Sequence, residues 1–195
     1  MAVISIVGTT GVGKSFLVQK LASITNSSAF LEGEGGTIPK RILENIANKG
    51  NPIERWKFFL ARYKSNLEQA MALSKKNQDC FVDGAIFSAR AILTYEDKKY
   101  QKELSAMIDN LAYLKSDIVL LLIADEEKIK ENIIARSRSF EDNKNIIARA
   151  LKIQKAFISL AQKEDNVIVI DRTNLDFSNT SELKSILNKI EAFKK

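Results

Sequence analysis

A chain of 195 residues with 45% hydrophobic and 28% charged side chains has the composition of one globular domain, residues 1–195, with enough apolar material for a real core. It contains no histidine, which excludes imidazole general bases, Ser-His and Cys-His nucleophile pairs and histidine-containing zinc sites, and leaves proton transfer to carboxylates, lysines or water. Net charge is +6, but the basic residues are spread along the chain without a block of like charge, the pattern of a lysine-rich surface and not of a nucleic-acid interface.

Ala2-Val3-Ile4-Ser5-Ile6-Val7 is apolar and β-prone and predicts a buried strand. The next residues, Gly8-Thr9-Thr10-Gly11-Val12-Gly13-Lys14-Ser15, follow the P-loop spacing of Gly, four residues, Gly, Lys, Ser, and Phe16 to Ala22 resumes at helical spacing. Glycines leave out side chains where the backbone must curl, so successive N–H groups can point inward at phosphate oxygens, and a helix starting near Lys14 adds its positive dipole end. In such a loop Lys14 reaches the β- and γ-phosphates and the Ser15 hydroxyl ligates magnesium, which makes ATP and Mg2+ the expected ligands. The alternative is a glycine-rich turn that holds nothing.

Ser27 to Glu32 predicts a second, short strand ending in acid, followed by a loop with Gly33, Gly35, Gly36 and Pro39. Ile38 to Ala47 reads as helix, stopped by Lys49-Gly50-Asn51-Pro52, and Ile53 to Lys76 as a long helix with Trp56, Phe59, Leu60, Tyr63, Leu67, Ala70 and Leu73 on one stripe. That stripe is core, with Trp56 near its start able also to face a substrate. Cys80-Phe81-Val82-Asp83 is a third strand; its lone cysteine cannot form an intramolecular disulfide and suits a reducing cytoplasm. Helices are predicted over Ile86–Thr94 and Lys98–Lys115. Asp117 to Ala124 carries the longest apolar run, a strand covered on both faces and far short of the ~18 residues of a membrane span. Glu126–Ser137 and Asn143–Lys163 read as helices, Asn166–Asp171 as the last strand and Ser181–Phe193 as the last helix.

Strands alternating with helices and no hairpin signals predict an α/β fold of P-loop NTPase type, a parallel five-stranded sheet flanked by helices on both faces. Ligands on such sheets gather at the carboxyl ends of strands, where Gly8, Glu32, Glu34, Asp83 and Asp125 all fall. Of the two acids that could complete the magnesium shell, Asp83 is followed at once by glycine and is preferred, while Asp125 runs into a helix and reads as its N-cap. Glu32 or Glu34 could accept a proton from a substrate hydroxyl, and Arg136 and Arg138 could swing over the phosphates as charge develops.

Several of these stretches together resemble the deoxyribonucleoside kinases. Besides the P-loop, Glu54-Arg55-Trp56-Lys57-Phe58 is similar to that family's Arg-Trp helix start. Val82-Asp83 to Phe87 stands at its acidic-Arg-Ser motif, and Arg136-Ser137-Arg138-Ser139-Phe140-Glu141 resembles its lid. Val167 to Asp171 with Asn174 to Phe177 resembles its last strand and donor-base loop. The resemblance implies transfer of the ATP γ-phosphoryl to the 5′-hydroxyl of a deoxyribonucleoside or a related small acceptor. It implies Lys14 and Ser15 on phosphate and magnesium, Glu32 or Glu34 as base, Asp83 near the metal, Arg136 and Arg138 in a lid of about residues 136–142, and Glu141 on the sugar 3′-hydroxyl. Three positions depart from the family pattern: Gly84 for the motif's arginine, Ala61 for a base-reading glutamine and Glu68 for a further arginine, with Arg62 and Arg90 as candidates to supply a cation. The alternatives are a nucleoside monophosphate kinase and a non-catalytic nucleotide-binding protein. The partners expected are a small-molecule acceptor and a second copy of the chain, paired through the long helices Ile53–Lys76 and Lys98–Lys115; neither nucleic acid nor membrane is expected.

Overall fold

The structure, a computed structural model, describes residues 1–32, 38–48, 50–95, 98–136 and 143–194. Among them five strands, β1 (Val3–Gly8), β2 (Ser28–Phe30), β3 (Cys80–Asp83), β4 (Ile118–Ile123) and β5 (Val167–Asp171), form one sheet in the order β2-β3-β1-β4-β5. Every pairing is parallel, so all carboxyl ends lie on one edge, with Ile6 beside Asp83 and Gly8 beside Leu122. Each parallel step needs a crossover, and seven of the described helices lie in the connections, α1 (Lys14–Thr25), α2 (Lys40–Ala47), α3 (Pro52–Ser74), α4 (Ile86–Leu93), α5 (Lys98–Asp109), α6 (Glu126–Arg136) and α7 (Asn143–Ala161), while α8 (Thr180–Phe193) follows β5.

Strand alternation divides the core. Ile4 and Ile6 of β1, Phe81 of β3 and Leu120 and Leu122 of β4 point to one face, where α1 and α8 bring Leu17, Leu21, Leu183 and Ile186. Val3, Cys80 and Val82 point to the other, against Trp56, Leu60, Tyr63 and Leu67 of α3, while Val7, Val119 and Leu121 meet Phe87 and Phe157 farther along. Of the stripe predicted on α3, Trp56, Leu60, Tyr63, Leu67 and Ala70 are buried, and Phe59 and Leu73 are partly buried against the same cluster. Asn51 caps that helix with its side chain on the Ile53 amide, and Pro52 supplies a pre-set first turn.

Element boundaries moved where local chemistry competes with helix. The helix expected to reach Lys115 stops at Asp109; Leu111, Ala112 and Leu114 instead bond three residues back, in turns that bury Leu114. Asp109-Asn110 offers the side-chain competition that ends helices. The helix expected from Ile38 begins after Pro39, at Lys40.

The start of β1 is held from both neighbours. The Ala2 amide donates to Asp79 and the Val3 amide to Asp117, each at 2.7 Å, from the residues just before β3 and β4, and Lys194 closes on Asp79 at 2.8 Å. Replacing Asp117→Ala strands a buried-strand amide and is expected to lower unfolding free energy by about 1–2 kcal/mol in a urea titration, with faster hydrogen exchange at Val3.

Candidate functional site

The loop from Gly8 to Ser15 leaves the end of β1 and turns into α1 through Gly13, whose φ of +89° is left-handed. A side chain there would be strained by that φ, and its Cβ would also strike the Arg172 guanidinium. The carbonyl side of the loop is tied to the protein: Lys14 Nζ donates to the Thr9 carbonyl at 3.1 Å, Asn132 of α6 to Gly11 at 2.7 Å, and Arg172 to Val12 at 2.9 Å. What remains for an anion is the amide side and the first amides of α1, which have no intrahelical acceptor and no acidic residue in the first turn.

Ser15 and Asp83, 68 residues apart in sequence, meet because β1 and β3 are neighbours: the Ser15 hydroxyl donates to Asp83 Oδ2 in a short hydrogen bond. Asp83 is 2% exposed, and its second oxygen, Oδ1, is buried with no hydrogen-bond partner. Burial pushes its carboxyl up from the usual aspartate range, against the Lys14 ammonium, the Ser15 hydroxyl and the Glu32 backbone amide, which pull it down. A hydroxyl, a carboxylate and an unpartnered buried oxygen fit a hard, oxygen-seeking cation that takes its remaining ligands from phosphates and water, as Mg2+ does. Asp125 takes the other role expected of it: its Oδ1 accepts from the Lys128 amide at 2.8 Å, capping α6.

Glu32 lies just past β2, and its Oε1 accepts the Tyr63 hydroxyl at 2.6 Å. Tyr63 is buried on the inner stripe of α3; burial, then the Glu32 and Asp83 carboxylates, raise its pKa well above the ordinary tyrosine value and keep the phenol protonated. Trp56, expected to face a substrate, is a core residue at 4% exposure, edge-on to Phe59 at 6.3 Å. At the departures from the family pattern, Ala61 is exposed, and Glu68 lies on the outer side of α3 near Lys64 and Tyr113. Arg90 is engaged with Glu164 at 3.7 Å, and Arg62 keeps a buried Nε without a partner. Arg136 closes α6. Glu34, Arg138 and Glu141 lie outside the described residues, as does most of the lid.

The site thus assembles Lys14, Ser15, Asp83 and Glu32 at the carboxyl edge of the sheet. Three contributors were missed by sequence reasoning. Tyr63 had been absorbed into the core stripe, Asn132 carries no local signal, and Arg172 sits directly after β5 with its guanidinium 4.5 Å above the Phe177 ring, in a stretch singled out for other reasons.

The fold is that of nucleoside and nucleotide kinases of known structure. The chain is similar to deoxyadenosine kinase from M. mycoides with dCMP and dCDP bound, at TM-score 0.71 and 17% identity over 97% of this chain and 99% of that one. It is equally similar to the same enzyme with dATP bound, at 0.71 and 17% over 98% and 100%. Thymidylate kinase from Candida albicans gives 0.70 and 16% over 99% and 92%. At these identities the likeness is one of fold. No protein-family model and no curated protein matches the sequence.

The buried Asp83 charge costs the fold stability. Its carboxyl holds a proton more tightly folded than unfolded, so its cost is absent below the unfolded-state value near 3.8 and grows as pH rises through the raised folded value. Asp83→Asn is expected to raise the melting temperature by a few degrees at neutral pH, with the gain shrinking as a calorimetric series is taken down toward that value, while magnesium-dependent nucleotide binding weakens.

Proposed function

We propose that this chain is an ATP-dependent phosphotransferase that moves the γ-phosphoryl group to the 5′-hydroxyl of a deoxyribonucleoside or a related small acceptor. The observation that carries the reading is the Ser15 hydroxyl on the buried Asp83 carboxylate, at the mouth of a glycine loop whose carbonyls are tied down. The likeness in fold to deoxyadenosine kinase supports the acceptor class.

In this reading the 8–15 loop binds the donor phosphates, with Lys14 on the β- and γ-phosphates. Ser15 and Asp83 would hold Mg2+, which when bound neutralises charge on the phosphates and aligns them. Glu32 or Glu34 accepts the proton of the attacking hydroxyl. Arg136 and Arg138 of the lid, about residues 136–142, balance charge on the group in transit, Glu141 takes the sugar 3′-hydroxyl, and Trp56 backs the acceptor wall. One kinase domain spans residues 1–195, and the reading includes a cytoplasmic location, which the buried thiol Cys80 supports. Among the described residues no helix is long and apolar enough to cross a membrane. Pairing of two copies through α3 and α5, and the absence of a nucleic-acid partner, belong to the same reading.

The likeness to thymidylate kinase favours a second reading, a kinase whose acceptor already carries a phosphate. ADP release from magnesium-ATP over ribonucleosides, deoxyribonucleosides and their monophosphates separates the two. The account expects turnover with nucleosides and a loss of about 100-fold or more in Lys14→Ala. Turnover confined to monophosphates selects the second reading, and tight ATP binding with no turnover anywhere leaves only a nucleotide-binding protein.

A further inference from the structure

Resting on the phosphotransfer reading, we propose that Tyr63 is a positioning residue that fixes the Glu32 carboxylate for proton acceptance, occupying room that exists only because residue 84 is glycine.

Three contacts converge on this. The Tyr63 ring lies against Gly84: a Cβ at residue 84 would stand 2.6 Å from Cε1 and 3.2 Å from Cζ of that ring. Gly84 also has a φ of +80°, a conformation that side chains strain. With the ring so placed, its hydroxyl reaches Glu32 Oε1 at 2.6 Å. One helical turn along the same face, Asn66, itself 4% exposed, donates Nδ2 to the Leu31 carbonyl at 2.9 Å. Helix α3 therefore grips the segment after β2 twice, by its backbone at Leu31 and by its side chain at Glu32. A core tyrosine chosen only for its ring would not need its hydroxyl on a carboxylate, nor a neighbouring amide on the adjoining backbone.

The chemistry suits the donor. A buried phenol that stays protonated donates one hydrogen bond to the Glu32 carboxylate and brings no charge of its own. An ionised carboxylate has about four lone-pair sites, so accepting from Tyr63 leaves capacity for a substrate proton. In the transfer, the acceptor oxygen forms its bond to the γ-phosphorus, and the bond from that phosphorus to the bridging oxygen breaks with its electron pair leaving on ADP. The hydroxyl proton passes to Glu32, and from there to solvent.

The test is a double-mutant cycle on the full chain, with the acceptor that supports turnover in the panel above: wild type, Tyr63→Phe, Glu32→Gln and the double variant. Tyr63→Phe keeps the ring over Gly84 and removes only the hydroxyl. Its kcat is expected to fall about 10-fold with the KM for ATP unchanged, Glu32→Gln to fall about 100-fold, and the double variant to match Glu32→Gln alone. A full kcat in Tyr63→Phe, an undiminished Glu32→Gln, or the same further loss when Tyr63→Phe is added to Glu32→Gln overturns the proposal while the phosphotransfer reading stands. No turnover by the wild type on any acceptor overturns both.

Discussion

The parallel pairing of β1 with β3 places Ile6 beside Asp83, so the loop that follows one strand and the acid that ends the other meet at the same edge. The rest of the site depends on that register. A shift of one residue would turn Phe81 and Asp83 to the opposite faces and carry the carboxylate away from Ser15. Two carboxylates at the far end of β1, Asp79 and Asp117, tie down the amides of Ala2 and Val3, so the register is held at the end opposite to the chemistry. Burying Asp83 is unfavourable in itself; the position makes sense as part of a binding site that a cation completes, and not as part of a structural core.

Around that pair the protein is asymmetric in how it holds its two halves. The 8–15 loop is clamped from elements beyond it, by Asn132 on α6 and Arg172 after β5, both bonding loop carbonyls. The segment after β2 is clamped by α3, through Tyr63 and Asn66. Both clamps use side chains on rigid elements to fix loop backbone or a loop carboxylate, the arrangement that lets irregular segments keep a defined geometry. Gly13 and Gly84 play parallel parts: each omits a side chain where Arg172 or Tyr63 must come close.

Much of this was legible in the residues. The loop, its flanking strand and helix, the five strands and Asp125 as the cap of α6 follow from spacing and local chemistry, because those signals are short-range. Tyr63 was hidden because its position on α3 satisfies the core period as well as Leu60 and Leu67 do; only the fold shows that its hydroxyl end meets a residue 31 positions away. The same non-locality hid Asn132 and Arg172, whose partners lie 121 and 160 residues away. Trp56 carries two signals at once. A large aromatic at a family-like helix start invites a role at a ligand, but its place on the inner stripe of α3 makes it part of the core between that helix and the sheet.

The central claim is that Ser15 and Asp83 hold a magnesium–nucleotide complex at the end of β1. It is tested most directly by measuring the dissociation constant of ATP with and without magnesium, for the wild type and for Ser15→Ala. The account predicts that magnesium tightens binding to the wild type and does little for the variant, whose P-loop amides and Lys14 remain in place. Equal tightening in both proteins would contradict it, and would mean that the hydroxyl facing Asp83 has no part in holding the metal.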